Sequence, residues 1–276
     1  MSAVALAVCV GVPSSVIVGQ ESHAPKGIES EQALPGRHLY VVQDALKLCK
    51  PAKGFWIDLG AGKGQVAIPL VETAGNPVMM VDPNRDAISE GMELARKKGI
   101  ADRVFAVIGR AEELPLADNT VDFVISRGSI FFWDSPAKGL KEVHRILRPG
   151  GKAFIGGGAG SGYPKWAVEK LIQERKAQMQ GDDAEKWKRF VELRRPDQMK
   201  KWAEDAGLRE YKIMGKGAMS ADDDRVGQGV WLLFEKADSK PSTEREAGQQ
   251  QRAEDFRRGG REPPRLPPFG WYSGLS

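Results

Sequence analysis

The sequence predicts an α/β fold built on a doubly wound, mostly parallel sheet, and three observations carry that expectation. From about residue 34 onward, apolar runs of strand length alternate with amphipathic segments of helical length. The first run, Phe55-Trp56-Ile57-Asp58-Leu59, empties into the glycine-dense turn Gly60-Ala61-Gly62-Lys63-Gly64. The second, Val78-Met79-Met80-Val81, ends on an acid, Asp82. Strict alternation of strand and helix demands crossover connections, which are right-handed when the strands they join are parallel.

The elements follow in order. Apolar residues at helical spacing from Tyr40 to Leu48 predict a helix packed beside the sheet. Strands are expected over 54–58, 77–81, 104–108, 121–126 and 152–156, with helices over 65–73, 85–98 and 137–147. Pro69 lies inside the first of those helices, where its missing N–H requires a kink or a late start. Gly99 stops the second behind Arg96, Lys97 and Lys98, cations that suit the carboxyl end of a helix dipole. Ser135 is expected to cap the third, with Pro136 at its first position. The run Gly156-Gly157-Gly158-Ala159-Gly160-Ser161-Gly162 reads as a loop able to move. Helices are then expected over 164–180, 184–194 and 196–206, the last ending at Gly207.

The residue types around the first turn describe a nucleoside-cofactor pocket. Gly60, Gly62 and Gly64 allow backbone angles that a Cβ obstructs, so the turn can run close beneath a ligand. The helix that follows offers unpaired N–H groups and the positive end of its dipole. Asp82, at the carboxyl end of a strand, is placed to accept hydrogen bonds from ribose hydroxyls. The spacing is G-x-G-x-G rather than G-x-G-x-x-G, and Asp58 stands two residues before the first glycine. An acid there suits a cofactor carrying a cationic amine and would repel a pyrophosphate.

With these motifs the chain resembles the class I S-adenosylmethionine-dependent methyltransferases over roughly 39–236, most closely the ubiquinone/menaquinone methyltransferase-like (type 11) group that acts on small molecules. The landmarks fall in order: Asp58 to Gly64, Val81-Asp82, Ala111-Glu112-Glu113-Leu114-Pro115-Leu116, Val121-Asp122-Phe123-Val124-Ile125-Ser126, and Leu147-Arg148-Pro149-Gly150-Gly151. The resemblance implies a Rossmann-like sheet of seven strands whose last strand is antiparallel, closed by a hairpin over 210–214 and 230–235. It implies S-adenosyl-L-methionine as cofactor. Asp58 and the backbone of Gly60, Ala61, Gly62 and Gly64 would hold its methionine part, and Asp82 with the adjoining Pro83 its ribose. Ala111 would meet the adenine edge, and Ser126 with Arg127 would line the floor beneath the sulfonium. One position departs from the pattern: Arg110 stands where an acid often holds the adenine amino group. Glu112 is the substitute, set against its reading as a solvated loop acid.

On the substrate side, the loop from Ser126 to Asp134 leaves the carboxyl end of a strand, where open α/β sheets bind ligands. Arg127 could hold an anionic substrate or the cofactor's carboxylate. Phe131, Phe132 and Trp133 could enclose apolar surface, although the expectation is that two of these rings are core. Methyl transfer needs an in-line approach, and a base only where the acceptor loses its proton during attack. His38 and Arg127 are the catalytic candidates, His38 as a base in a segment that covers the pocket in many relatives. His144, four residues after Leu140 on a helix, reads as packing. No spacing of His, Cys or acids suggests a metal site.

The chain lacks the Asn-Pro-Pro-Tyr run of the amino-methylating enzymes of adenine and glutamine, the Pro-Cys pair of cytosine carbon methylators, and the several cysteines of arsenic methyltransferases. A small-molecule acceptor is the remaining expectation. Two alternatives stay open: a non-catalytic binding or scaffold protein of the same fold, and an NAD-dependent oxidoreductase, which would leave Asp58 unexplained.

Composition sets the frame. A chain of 276 residues with 41% hydrophobic content can bury one substantial core. A net charge of +4, from 41 basic and 37 acidic residues, is too balanced to imply a nucleic-acid partner. The expected organisation is a leader over 1–33, a methyltransferase domain over 34–237 and a disordered charged, Pro-rich tail over 238–276. Val4 to Val12 is apolar enough for the core of an export signal but follows no Lys or Arg, and it is too short to span a bilayer. The intracellular supply of the cofactor points to a cytoplasmic protein, with export through that atypical signal as the alternative.

Overall fold

A computed structural model of the chain describes residue 34 and residues 36–220 and 223–237; the expected leader and tail lie outside the described residues. The first half runs α1 (His38–Cys49), β1 (Trp56–Leu59), α2 (Ala67–Ala74), β2 (Val78–Asp82), α3 (Arg85–Lys97), β3 (Val104–Ile108), β4 (Val121–Arg127) and α4 (Pro136–Ile146). The second half runs β5 (Leu147–Gly158), α5 (Lys165–Gln178), α6 (Ala184–Leu193), α7 (Pro196–Asp205), β6 (Tyr211–Gly217) and β7 (Gly229–Glu235). The seven strands form one sheet in the order β3-β2-β1-β4-β5-β7-β6. All pairings from β3 to β5 are parallel, and β7 runs antiparallel to both β5 and β6. This is the seven-stranded Rossmann-like sheet with an antiparallel last strand. The chain winds outward in opposite directions from β1 and β4, so a crevice opens between their carboxyl ends.

The sheet is covered on both faces. One face packs Trp56, Met80, Phe123 and Phe154 under α1, α2 and α3, through Val42, Leu70 and Ile88. The other packs Ile57, Val81, Val124 and Ile155 under α4 and α7, through Leu140, Val143 and Met199. Neighbouring residues of one strand thus serve opposite cores, as the two-residue period of a strand dictates. Burying a side chain of the size of Leu140, which has no exposed surface, is worth roughly 1.5–3 kcal/mol.

Local chemistry explains the boundaries. Pro69 is accommodated by a late start: α2 begins only at Ala67, so the proline occupies the first turn, where an N–H would lack a helical partner. The side chain of Asn84 caps α3 by accepting from the N–H groups of Asp86 and Ala87 at 3.0 and 3.1 Å. Gly99 ends α3 at φ 68°, which lets Ile100 N donate to Ala95 O at 3.0 Å. Ser135 does precede α4 with Pro136 behind it, but its side chain makes no capping hydrogen bond.

The expectation of a mobile loop over 156–162 is corrected. Gly156, Gly157 and Gly158 are strand residues of β5, paired with Trp231, Val230 and Gly229 of β7. A Cβ on Gly158 would stand 1.8 Å from Gln228 O, and one on Gly156 2.2 Å from Val230 O. These glycines serve close backbone approach, which composition alone does not separate from flexibility. The following turn is fixed too: Ser161 N donates to the buried carboxylate of Asp44 on α1 at 2.6 Å.

Candidate active site

The crevice is a cleft of about 640 Å³, within the range of small-molecule sites. Its wall is assembled from the carboxyl ends of parallel strands: Leu59 ending β1 and Gly60 after it, Asp82 and Pro83 at β2, Gly109 after β3, Arg127 and Gly128 at β4, Gly157 and Gly158 in β5. The glycine turn is tied to β2, for Gly60 N and Ala61 N both donate to Val81 O at 2.7 and 3.2 Å. The carboxylate of Asp82 accepts from Gly62 N and from Asn84 N, each at 2.8 Å. Each of its oxygens keeps a further lone pair for a ligand.

Of the residues expected to bind cofactor, the cleft brings together Gly60, Asp82, Pro83, Ala111, Glu112 and Arg127. Others stand behind the wall. Asp58 is 1% exposed and accepts from Ala67 N, the first residue of α2, at 2.8 Å. Burial, reinforced by the neighbouring Asp82 carboxylate and opposed by that hydrogen bond, pushes its carboxyl up to about 7. Gly64 is a packing glycine, with Met80 and Ile68 against the place of its Cβ. Ala61 is buried, as is Ser126. At the cleft surface Ser126 is replaced by Ser129, whose hydroxyl lies 2.6 Å from that of Ser126, bonds Leu59 O at 3.0 Å and receives Trp133 Nε1 at 3.2 Å. One side chain thus ties together β1, β4 and the aromatic loop.

Glu112 is not a solvated loop acid. It is 9% exposed, lines the cleft, accepts from Ser135 N at 3.2 Å and pairs with Arg110 at 3.8 Å. Arg110, the departure from the pattern, also bonds Asp134 and is thereby neutralised. The segment carrying Ala111 and Glu112 is held by α4: Arg145 donates to Leu114 O and Leu116 O at 3.0 and 2.8 Å, while Glu142 accepts from Leu114 N at 2.9 Å. Among the three aromatics, Phe131 is buried and Trp133 partly so in the core over α4, while Phe132 is 78% exposed at the cleft. Gly139 of α4 leaves the space that the Trp133 ring fills, since a Cβ there would lie 2.5 Å from it.

His38 does not line the cleft. Its Nε2 lies 3.2 Å from Nη1 of Arg127, so the ring nitrogen accepts and the imidazole stays neutral. Burial and the cations Arg127 and Arg37 push its pKa down to about 4, which makes it a poor base at neutral pH. Its place is to orient Arg127, whose Nε also donates to Gly158 O at 3.1 Å. His144 stacks on Phe234 at 6.5 Å, away from the cleft. Sequence reading missed Arg37, Arg175, Phe190 and Arg194, which complete the wall from the segment before α1, from α5, from α6 and from the α6–α7 turn. No local motif marks them, because they meet only through the tertiary fold. Among the described residues no group of three or more His, Cys, Asp or Glu side chains could hold a metal ion. No helix among them is long and apolar enough to cross a membrane.

Residues 57–155 match the family model described as a methyltransferase domain. Over that stretch, about a third of its length, the chain is similar to methyltransferase domains. An uncharacterized methyltransferase of Mycobacterium tuberculosis (strain ATCC 25618 / H37Rv) is 42% identical to it over 96 residues, 35% of this chain and 36% of that protein. The ubiquinone/menaquinone biosynthesis C-methyltransferase of Brucella canis is 36% identical over 98 residues, covering 35% and 36%. The chloroplastic 2-methyl-6-phytyl-1,4-hydroquinone methyltransferase 2 of Oryza sativa subsp. japonica is 28% identical over 161 residues, covering 57% and 39%. The matched stretches thus span little more than a third of the length of these relatives. The fold of the chain matches a crystal structure from Methanococcus maripaludis, a candidate S-adenosyl-L-methionine-dependent methyltransferase, with a TM-score of 0.60 and 23% identity over 74% of this chain and 87% of that one.

The donor set of the cleft suits a nucleoside cofactor such as S-adenosylmethionine. Carboxylates of Asp82 and Glu112 stand at one end of the cleft for hydroxyl and amino donors. Gly128, at φ 87° with open space where a Cβ would project, leaves room at the middle.

Proposed function

We propose that the chain transfers the methyl group of S-adenosylmethionine to a small-molecule acceptor. The observation that carries this reading is the glycine turn fastened to Val81 O with the Asp82 carboxylate beside it, in a cleft that continues past Arg127 and Phe132. In it, Asp82 accepts the ribose hydroxyls, and Glu112 with the backbone of Ala111 takes the adenine edge. Gly60 leaves room for the Ser129 side chain, Gly62 ties the turn to Asp82, and Asp58, behind it, anchors the start of α2. The bound sulfonium supplies an electrophilic methyl group. Ser129, fixed by three hydrogen bonds, and Arg127, fixed by His38 and Gly158, hold the cleft in one shape. Such preorganisation is worth up to about 7–11 kcal/mol when reactants are held in line.

No His, Cys, Lys or Tyr is among the described residues that line the cleft, which suits an acceptor that is already nucleophilic or loses its proton to water. The quinone-type names of the relatives support a small acceptor. Titration calorimetry with S-adenosylhomocysteine and with NAD tests the cofactor: the first is expected to bind and the second not. Formation of S-adenosylhomocysteine from S-adenosylmethionine in the presence of a fractionated metabolite extract tests the reaction. Binding without turnover on any fraction would favour the scaffold reading instead.

A further inference from the structure

The cleft has two electrostatic halves. Its acids, Asp82, Glu112 and Asp134, lie toward the end of β2 and the segment after β3, with Arg110 paired among them. The other half presents Arg37, Arg127, Arg175 and Arg194. Among the described residues none of these four guanidiniums forms an ion pair with a carboxylate. Arg194 is 8% exposed, and its guanidinium donates Nη1 to Phe190 O, one turn back in α6, at 3.3 Å. Arg175 spends one N–H on Ala218 O at 2.6 Å.

Aromatic rings hold these cations in place. The Arg194 guanidinium lies 3.3 Å from the centre of the Phe190 ring and 3.9 Å from that of Phe131, so it sits between two π-faces. The Arg175 guanidinium lies 5.2 Å from the same Phe190 ring, so two cations share one aromatic. Stacked guanidiniums keep their N–H edges free in the plane of the group, the direction in which they bind oxyanions. Burial and mutual repulsion lower the pKa of Arg194 to about 9 and of Arg175 to about 10, which leaves both charged at neutral pH. A buried charge without a counter-ion is costly, and an anion bound beside Arg194 would offset that cost.

We infer that the acceptor carries a phosphate or diphosphate group, bound by Arg37, Arg175 and Arg194 beside the Phe190 ring. This rests on the methyl-transfer reading for the word acceptor, but not for the anion site. A carboxylate brings one charge and one plane and satisfies one guanidinium fork. A phosphate group brings about −1.5 to −2 charges on tetrahedrally arranged oxygens and can accept from several forks that arrive from different elements, as these do. Arg127, of the same basic half but held by His38 and Gly158, remains for the methionine end of the cofactor.

The test uses the full chain and inorganic pyrophosphate as probe, titrated by calorimetry at fixed ionic strength, with and without saturating S-adenosylhomocysteine. Saturable one-to-one binding is expected. Arg175→Gln and Arg194→Gln should each weaken it at least tenfold while changing S-adenosylhomocysteine affinity less than twofold. Should Arg194→Gln fail to fold, Arg37→Gln and Arg175→Lys carry the same expectation from less buried positions. Absence of pyrophosphate binding overturns the inference, as does binding that the variants leave unchanged, or citrate binding more tightly than pyrophosphate. Equal loss of S-adenosylhomocysteine in the variants also overturns it, since the arginines would then serve the cofactor. A chain that binds pyrophosphate through these arginines but not S-adenosylhomocysteine keeps the anion site and removes the methyl-transfer reading.

Discussion

Asp82 concentrates two duties in one carboxylate: it stiffens the glycine turn through Gly62 N and Asn84 N, and it offers lone pairs to the cleft. Asp82→Ala is therefore expected to weaken S-adenosylhomocysteine at least tenfold, about 1.4 kcal/mol, and to lower the melting temperature as well. Calorimetry on the folded variant checks the first, and unchanged affinity would remove Asp82 from the ribose. His38 and Asp58 titrate in opposite senses. The neutral His38 has its pKa lowered to about 4, so the stability it contributes is present above its ordinary value near 6.5 and is lost as pH falls toward 4. The carboxyl of Asp58 is raised to about 7, so its contribution is present below about 3.8 and is lost as pH rises through 7. Between pH 4 and 6.5, His38→Gln should make the rise of melting temperature with pH shallower, and Asp58→Asn should make it steeper. Slopes that move together would overturn one of the two assignments, the one whose expected direction is reversed.

At the level of elements, what the sequence made legible was whatever local chemistry decides. The strand over 104–108 appears with the expected bounds, and Gly99 closes its helix as its left-handed angle requires. Asp82, Ala111 and Glu112 fall together because each follows a strand end in a parallel sheet, and parallel order converts sequence order into neighbourhood. The Gly156 to Gly158 run was legible as glycine but not as strand, because the reason for it is the backbone of Gly229 to Trp231, far away in sequence. The arginine wall was illegible for the same reason: Arg37, Arg175 and Arg194 come from three separate elements. Arg145 shows how one element supports another, since α4 holds the segment over 111–118 through it. Its guanidinium bonds Glu142 and Asp118 at 2.8 and 2.6 Å besides two carbonyls. Arg145→Ala should cost about 2 kcal/mol, roughly 4–8 °C in melting temperature, and weaken S-adenosylhomocysteine several-fold through the loosened Ala111 and Glu112. A variant with wild-type melting and affinity would show that the segment holds itself.

For the molecule as a whole, stability is distributed unevenly. The central strands β1, β4 and β5 are paired on both sides and covered on both faces, whereas α6 contributes no buried residue. Amide hydrogen exchange should be slowest in β4 and β5 and fast in α6, because local opening costs least where little apolar surface is buried. Phe190 on α6 faces the cleft, so adding pyrophosphate together with S-adenosylhomocysteine should slow α6 selectively. Exchange in α6 as slow as in the central strands would mean that it is fastened by contacts beyond those described.

The glycine contact between β5 and β7 carries one more implication. Main chain lies directly on main chain at Gly156, Gly158 and Gly229, where a Cβ would come within 2.2 Å of a facing carbonyl oxygen. Descendants of this protein therefore have no means of reshaping that side of the cleft by exchanging one side chain for another. Side-chain exchange can reshape the cleft from α5, α6, the turn behind α6, the stretch ahead of α1 and the loop that carries Phe132, above a floor of bare main chain.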